Sequence, residues 1–267
     1  MAVFKNDNIP FFQRATYNEP LKMPQAHFHN KHELYYLEKG KTKYFIGDEI
    51  FLLEPGDMVF IPAGMFRKTD SGDFSGTSRL LFSFDDEFAG EKDVIEGLKE
   101  NKFIRMPRDK LYKLQSIFNQ IDEEERKKDA GYIRMQQLLF KQMLIIISRY
   151  CSSENKKPLD DTVSLVQGIA KYISENFSDD LSLDMLSKKF ALSPSHLSRL
   201  FKNVTGVGLS EYINISRITA AEKMLVQTDM PVTHIATACG FNDSNYFAAV
   251  FKKLKGITPK KYSMKKK

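Results

Sequence analysis

Cysteine is scarce: the 267 residues hold only Cys151 and Cys239, which fit neither metal-ligand nor redox spacing. A reduced, cytoplasmic setting is the expectation. No apolar run is long enough to span a bilayer, so no membrane partner is expected. The opening MAVFKNDNIPFFQ lacks the basic-then-apolar order of a signal peptide. Acidic residues become rare toward one end. From Leu181 onward there are 14 Lys and Arg against 5 Asp and Glu, a net +9, whereas the preceding 180 residues hold 26 against 29, a net −3. Such asymmetry suits a nucleic-acid-binding domain joined to something else. The length leaves room for two domains, each with its own core.

The most informative stretch is Ile235 to Tyr262, IATACGFNDSNYFAAVFKKLKGITPKKY. A short helical pattern ends at Gly240, and Asp243 and Ser244 offer caps for a second helix. On that helix Tyr246, Phe247, Val250, Phe251 and Leu254 recur at helical spacing. Two helices joined by a Gly-containing turn, the second one basic, read as a helix-turn-helix. The pattern occurs twice. Phe201-Lys202, Gly206 and Tyr212 recur as Phe251-Lys252, Gly256 and Tyr262, 50 positions later. Upstream, Leu186 and Ala191-Leu192-Ser193 match Ile235 and Gly240-Phe241-Asn242 at an offset of 49, so the second turn holds one extra residue.

The stretch resembles the signature of AraC-type transcription regulators, GF-x-D-x-x-YF-x-x-x-FK-x-x-x-G-x-TP-x-x-Y, over about the last hundred residues. In the first motif, Ser182 caps a helix over 183–190, residues 191–193 turn, and Pro194 begins the recognition helix. Leu197, Leu200 and Phe201 point inward; Ser195, His196, Ser198, Arg199 and Lys202 point outward as the candidate DNA contacts. Arginine can read guanine with two hydrogen bonds, serine is permissive, and lysine mostly meets phosphate. The helix over 211–226, with Arg217 and Lys223, would hold the two motifs apart. The second motif departs from the family, with Ala248 and Ala249 where many members carry a polar residue and an arginine. Sequence discrimination is therefore expected mainly from the first motif. Asn242, Ser244, Asn245, Lys252 and Lys253 of the second would serve as positioning contacts.

From about Ala26 to Phe84, short apolar or alternating runs are separated by Gly40, Gly47-Asp48, Pro55-Gly56-Asp57 and Pro62-Ala63-Gly64. That frequency of turns suggests a β-sandwich or small barrel. His27-x-His29-x3-Glu33-x6-Gly40 and Gly56-x5-Pro62-x-Gly64 resemble the cupin motifs. In cupin enzymes the two His and the Glu hold a metal together with a third His, whose place is taken here by Arg67. A guanidinium cannot be a ligand and repels a cation. Three readings stay open for His27, His29 and Glu33: a metal site, the polar lining of a small-molecule pocket, or surface and structural positions. Pocket lining is favoured, because small-ligand sites gather a few convergent polar groups. No cofactor and no metal is assigned. Tyr35 and Tyr44 would add aromatic faces, and Arg67 could pair with a carboxylate or phosphate on an effector.

Between these parts, Pro107 starts a helical pattern in which Leu111, Leu114, Phe118 and Ile121 repeat at 3-4-3 spacing, the seam of a short coiled coil. A second helical segment covers 133–150. Both could pack on the barrel, form a dimer interface, or do both; the family resemblance supports the dimer. Residues 152–161 have the composition of an interdomain linker.

The expected fold is thus α+β in two domains: a cupin-like β-barrel over 1–105 with helices over 106–151, then an all-α domain over 162–267 with two helix-turn-helix motifs and a linker helix. The resemblance implies a ligand-responsive regulator with double-stranded DNA, a small-molecule effector, a second copy of the chain and RNA polymerase as partners. A sugar is the preferred effector. The alternative from another class is a cupin-type metalloenzyme carrying a DNA-binding domain, against which Arg67 argues. Cys239, at an apolar helix end, is expected to pack rather than react.

Overall fold

A computed structural model describes residues 3–4, 11–20, 27–72, 74–151 and 158–264, with the side chains of Val3, Phe4 and His27 outside the description. The strand-forming half contributes β1 (Val3–Phe4), β2 (Phe12–Tyr17), β3 (His27–Phe28), β4 (His32–Lys39) and β5 (Thr42–Ile46). After these come β6 (Glu49–Leu53), β7 (Asp57–Ile61), β8 (Arg67–Asp70), β9 (Thr77–Phe84) and β10 (Phe103–Arg105). They form two five-stranded sheets, in the orders β1-β3-β8-β5-β6 and β10-β7-β4-β9-β2.

Successive side chains of a strand point to opposite faces, so each sheet serves two cores. Tyr35, Leu37, Tyr44, Ile46, Phe51, Leu53, Val59 and Ile61 fill the space between the sheets. The alternate residues Leu34, Tyr36, Met58, Phe60, Leu80 and Phe82 turn the other way. They meet α1 (Asp86–Ala89), α2 (Lys92–Glu100), α3 (Leu111–Lys127) and α4 (Tyr132–Ser148). Phe118 lies 4.8 Å from Tyr36 and Phe140 lies 4.5 Å from Phe84, centroid to centroid.

Two expectations shift here. Pro107 precedes a 3₁₀ turn over Arg108–Lys110, and α3 itself starts at Leu111. Its 3-4-3 seam is not left free: Leu114, Phe118 and Ile121 are buried against the barrel sheet. α3 exposes Tyr112, whereas α4 exposes Ile133, Met135, Leu138 and Ile145.

The helical half consists of α5 (Asp161–Glu175), α6 (Leu183–Lys189), α7 (Pro194–Thr205), α8 (Leu209–Gln227), α9 (Val232–Ala238), α10 (Ser244–Lys255) and α11 (Pro259–Met264). Side chains cap several of these helices. Asp160 accepts from the Val163 N–H at 2.8 Å, Ser182 from Met185 at 3.1 Å, Ser193 from His196 at 3.3 Å and Asp243 from Tyr246 at 2.7 Å. Each such cap is worth about 1 kcal/mol. Of the expected linker, residues 152–157 lie outside the described residues, and Asp160 and Asp161 already belong to the start of α5. The basic tail at 265–267 is also outside them.

The outward face of the β3-β8-β5-β6 sheet packs on the helical half. Phe28, Phe45, Ile50 and Phe66 join one core cluster with Val166, Ile169, Phe201 and Tyr212. Polar bonds fix the register: Tyr212 donates its hydroxyl to the Gly47 carbonyl at 3.0 Å, the Ile50 N–H donates to Gln167 Oε1 at 3.0 Å, and Ser174 donates to Asp48 Oδ2 at 2.7 Å.

Candidate nucleic-acid interface and barrel interior

On α7, Leu197, Phe201 and Val204 are buried, which turns Ser195, His196, Ser198, Arg199 and Lys202 outward, all exposed. On α10 Phe247, Phe251, Leu254 and Lys255 are buried, and Asn242, Ser244, Asn245, Lys252 and Lys253 are exposed. Ala249 is exposed and Ala248 half-buried, so the polar gap in the second motif faces outward. Tyr246, at helical spacing with the apolar residues, is nevertheless 54% exposed, and its hydroxyl accepts from Asn214 Nδ2 of α8 at 3.1 Å. Helical spacing alone hid this, because Tyr246 sits at the border of the apolar stripe.

The extra residue of the second turn is visible as five residues between α9 and α10 against four between α6 and α7. Both turns use the left-handed region, Ala191 at φ 52° and Gly240 at φ 81°. Glycine is needed at the second. A Cβ there would meet the Ser178 carbonyl oxygen at 2.8 Å and Arg217 Nε at 3.0 Å. Arg217 braces the two motifs. From α8 it donates to the carbonyls of Phe177 and Asp179, both at 2.9 Å, and lies over the Phe241 ring at 5.6 Å. Cys239 is fully buried, and burial pushes its thiol up to about 11, so it stays protonated.

Inside the barrel the structure brings together Glu33 of β4, Tyr44 of β5, Arg67 of β8, Tyr35 and His29. Arg67 Nη2 lies 2.6 Å from Glu33 Oε1, and His29 Nε2 lies 3.6 Å from the same oxygen. Arg67, at 0% exposure, is among the largest fully buried side chains. The Tyr35 and Tyr44 rings meet edge to face at 5.1 Å. Burial raises the pKa of both hydroxyls, so both are neutral. His27 pairs through its backbone with Arg67, but its side chain lies outside the described residues.

The sequence allows Arg67 to pair with an effector anion; the structure pairs it with Glu33, the carboxylate of the cupin-like His27, His29 and Glu33 set. Nor is the group an open cleft. The three cavities described, of about 500, 370 and 500 Å³, lie along α8, and none is lined by Glu33, Tyr35, Tyr44 or Arg67. What distinguishes this interior is its unsatisfied chemistry. The hydroxyls of Thr69, Thr77 and Ser83 and the Arg67 Nε are buried without a hydrogen-bond partner, while those of Tyr35 and Thr42 meet each other. They sit on strands β4, β5, β8 and β9 at positions facing between the sheets. Sequence reasoning missed the threonines, although their alternation with outward residues in β5, β8 and β9 carried the signal.

His32 was missed as well. Its Nδ1 accepts from the Ala63 N–H at 2.9 Å, which leaves the proton on Nε2 to donate to Asp86 Oδ1 at 3.1 Å. Burial lowers its pKa despite Asp86, so the neutral ring is favoured.

Tandem helix-turn-helix units on a basic helical domain, joined to a cupin-like barrel, define a DNA-binding regulator. Comparison with known proteins agrees. A family model for a helix-turn-helix domain matches residues 186–265, and one for a cupin domain matches 18–72. The chain is 28% identical to the HTH-type transcriptional activator RhaR of Mannheimia succiniciproducens over 94% of its own length and 90% of that protein. It is 24% identical to the HTH-type transcriptional activator RhaS of Shigella sonnei, over 92% and 91% of the two chains. The C-terminal domain of the two-component response regulator yesN from Fusobacterium nucleatum is 37% identical, covering 36% of this chain and 95% of that one, with a TM-score of 0.35. The chain carries an AraC-type helix-turn-helix domain and a cupin domain. No helix among the described residues is long and apolar enough to cross a membrane.

Proposed function

We propose that the barrel with its helices, residues 1–151, senses a small polar effector in its interior and that residues 162–267 bind double-stranded DNA accordingly. The observation that carries the effector reading is the set of buried hydroxyls without partners. An unsatisfied buried hydroxyl costs about 1–3 kcal/mol, and three of them with the Arg67 Nε match a ligand rich in hydroxyl groups, for which a sugar is the preferred class. The Glu33–Arg67 pair leaves that interior close to neutral, which suits an uncharged ligand better than an anion. A second copy of the chain would use the exposed α4 face, because the α3 seam is occupied.

Two measurements test the two halves. Thr69→Val removes one unpartnered hydroxyl at nearly constant shape. It should leave the ligand-free protein as stable or more stable by about 1 kcal/mol, and weaken sugar binding several-fold in titration calorimetry against a monosaccharide panel. Destabilisation with unchanged binding would place the hydroxyl in the protein's own hydrogen bonding. For DNA, footprinting on the upstream region of its own gene at fixed salt should show discrete protection. Arg199→Ala should cost ~1–3 kcal/mol and relax one base position, while an equal loss on every sequence would reduce Arg199 to a phosphate contact.

A further inference from the structure

Both recognition helices end on the same piece of the barrel. Segment 62–68 runs from the end of β7 into β8 and is pinned from within. Gly64 N–H donates to the His29 carbonyl at 2.7 Å, Ala63 N–H to His32 Nδ1 at 2.9 Å, and Arg67 pairs with Glu33 at 2.6 Å. Gly47 N–H donates to the Phe66 carbonyl at 2.9 Å. From this braced segment Lys68 reaches out and lies directly on Gly206, the left-handed residue (φ 79°) that closes α7. Gly206 has no Cβ, and a Cβ there would collide with the Lys68 side chain. An ammonium at that point faces the negative end of the α7 dipole.

The second recognition helix meets the same segment by different chemistry. Lys255, the last residue of α10, is 7% exposed, where the first repeat has Thr205. Its Nζ lies 2.5 Å from Glu222 Oε2 of α8 and 3.4 Å from the Gly64 carbonyl, and 5.0 Å from the centre of the Phe28 ring. Glu222 also accepts from the Tyr262 hydroxyl of α11. A buried lysine is retained only where it is paired and hydrogen-bonded, and part of this one's shell comes from the barrel.

We infer that segment 62–68 is a positioning element for DNA binding: through Lys68 and Lys255 it sets the placement of the two recognition helices relative to each other. The linker helix α8 alone would otherwise fix that placement. Two helices on one duplex must match the groove repeat of about 34 Å or bend the DNA, so their relative placement governs which half-site separation is bound. The DNA-facing residues stay exposed in this arrangement, so the barrel docks without covering them. The inference needs only the DNA-binding activity and is independent of what the barrel interior holds.

The test uses the full chain and duplexes of ~30 bp, about three groove repeats, selected from a randomised pool by the unaltered protein. Base pairs are then inserted or deleted, one or two at a time, between the two protected segments. The unaltered protein should lose on the order of tenfold in affinity for each change of one base pair. Lys68→Ala should bind the selected duplex several-fold more weakly and discriminate far less among separations, while Lys68→Arg should restore the discrimination. Lys255→Met should behave like Lys68→Ala; Lys68→Ala carries the test should Lys255→Met fail to fold, because Lys68 lies outside the helical core. A folded Lys68→Ala protein with the original separation profile would overturn the inference. So would a uniform loss at every separation, which would make Lys68 a general electrostatic contributor.

Discussion

Arg67→Met is expected to destabilise the protein by about 3–5 kcal/mol, the cost of leaving one member of a buried ion pair uncompensated. Arg67 has no exposed surface and the Glu33 side chain is 4% exposed, so water cannot replace the lost guanidinium. Nearby, His29 Nε2 stands 3.6 Å from the carboxylate and the Tyr44 ring is fully buried. The double variant Glu33→Leu/Arg67→Met should recover most of the loss, because burying two apolar side chains avoids desolvating two charges. Urea denaturation of the three proteins decides the matter. Similar losses for the single and double variants would mean that Arg67 contributes by packing rather than by pairing. The same comparison bears on function, since removing both charges should also change the response to effector.

Phe201→Ala carries the second large effect, about 3–5 kcal/mol for truncating a fully buried phenylalanine. The phenyl ring of Phe201 lies 5.3 Å from that of Tyr212, which in turn lies 5.8 Å from Phe45 and 6.3 Å from Phe66 of the barrel. Tyr212 also donates to the Gly47 carbonyl. Loss of the α7 anchor should therefore loosen the barrel surface as well as abolish specific DNA binding. The repeat-related Phe251→Ala should cost a similar amount, but its ring neighbours are Phe247 at 5.8 Å and Tyr262 at 5.5 Å. Hydrogen exchange distinguishes them: amides of Gly47 to Ile50 should lose protection in Phe201→Ala and keep it in Phe251→Ala. Equal behaviour of the two variants would show that the ring chain through Tyr212 does not couple the halves.

The contrast between those two phenylalanines marks how far the sequence reaches. By itself it determined the helix-turn-helix pair, because caps at Ser182, Ser193 and Asp243, Pro194 at the start of α7 and Gly240 in the turn act over three or four residues. The 50-residue repeat then announced the second motif and the extra residue of its turn. Alternation in the strands likewise announced the two-faced sheets. Tertiary structure decided what each face meets. The α3 seam satisfied coiled-coil spacing, yet a 3-4-3 stripe fits a sheet as well as a partner helix, and here it lies on Tyr36 and Phe82. Arg67 read as a ligand's counter-ion until β8 and β4 brought it to Glu33, 34 positions away in the chain. Lys255 drew no reading from the sequence, and only the approach of Gly64 and Phe28 made it an interior contact. Local periodicity is written in neighbouring residues, whereas the partner of a charge is chosen by strand order and domain packing, which no short stretch of sequence contains.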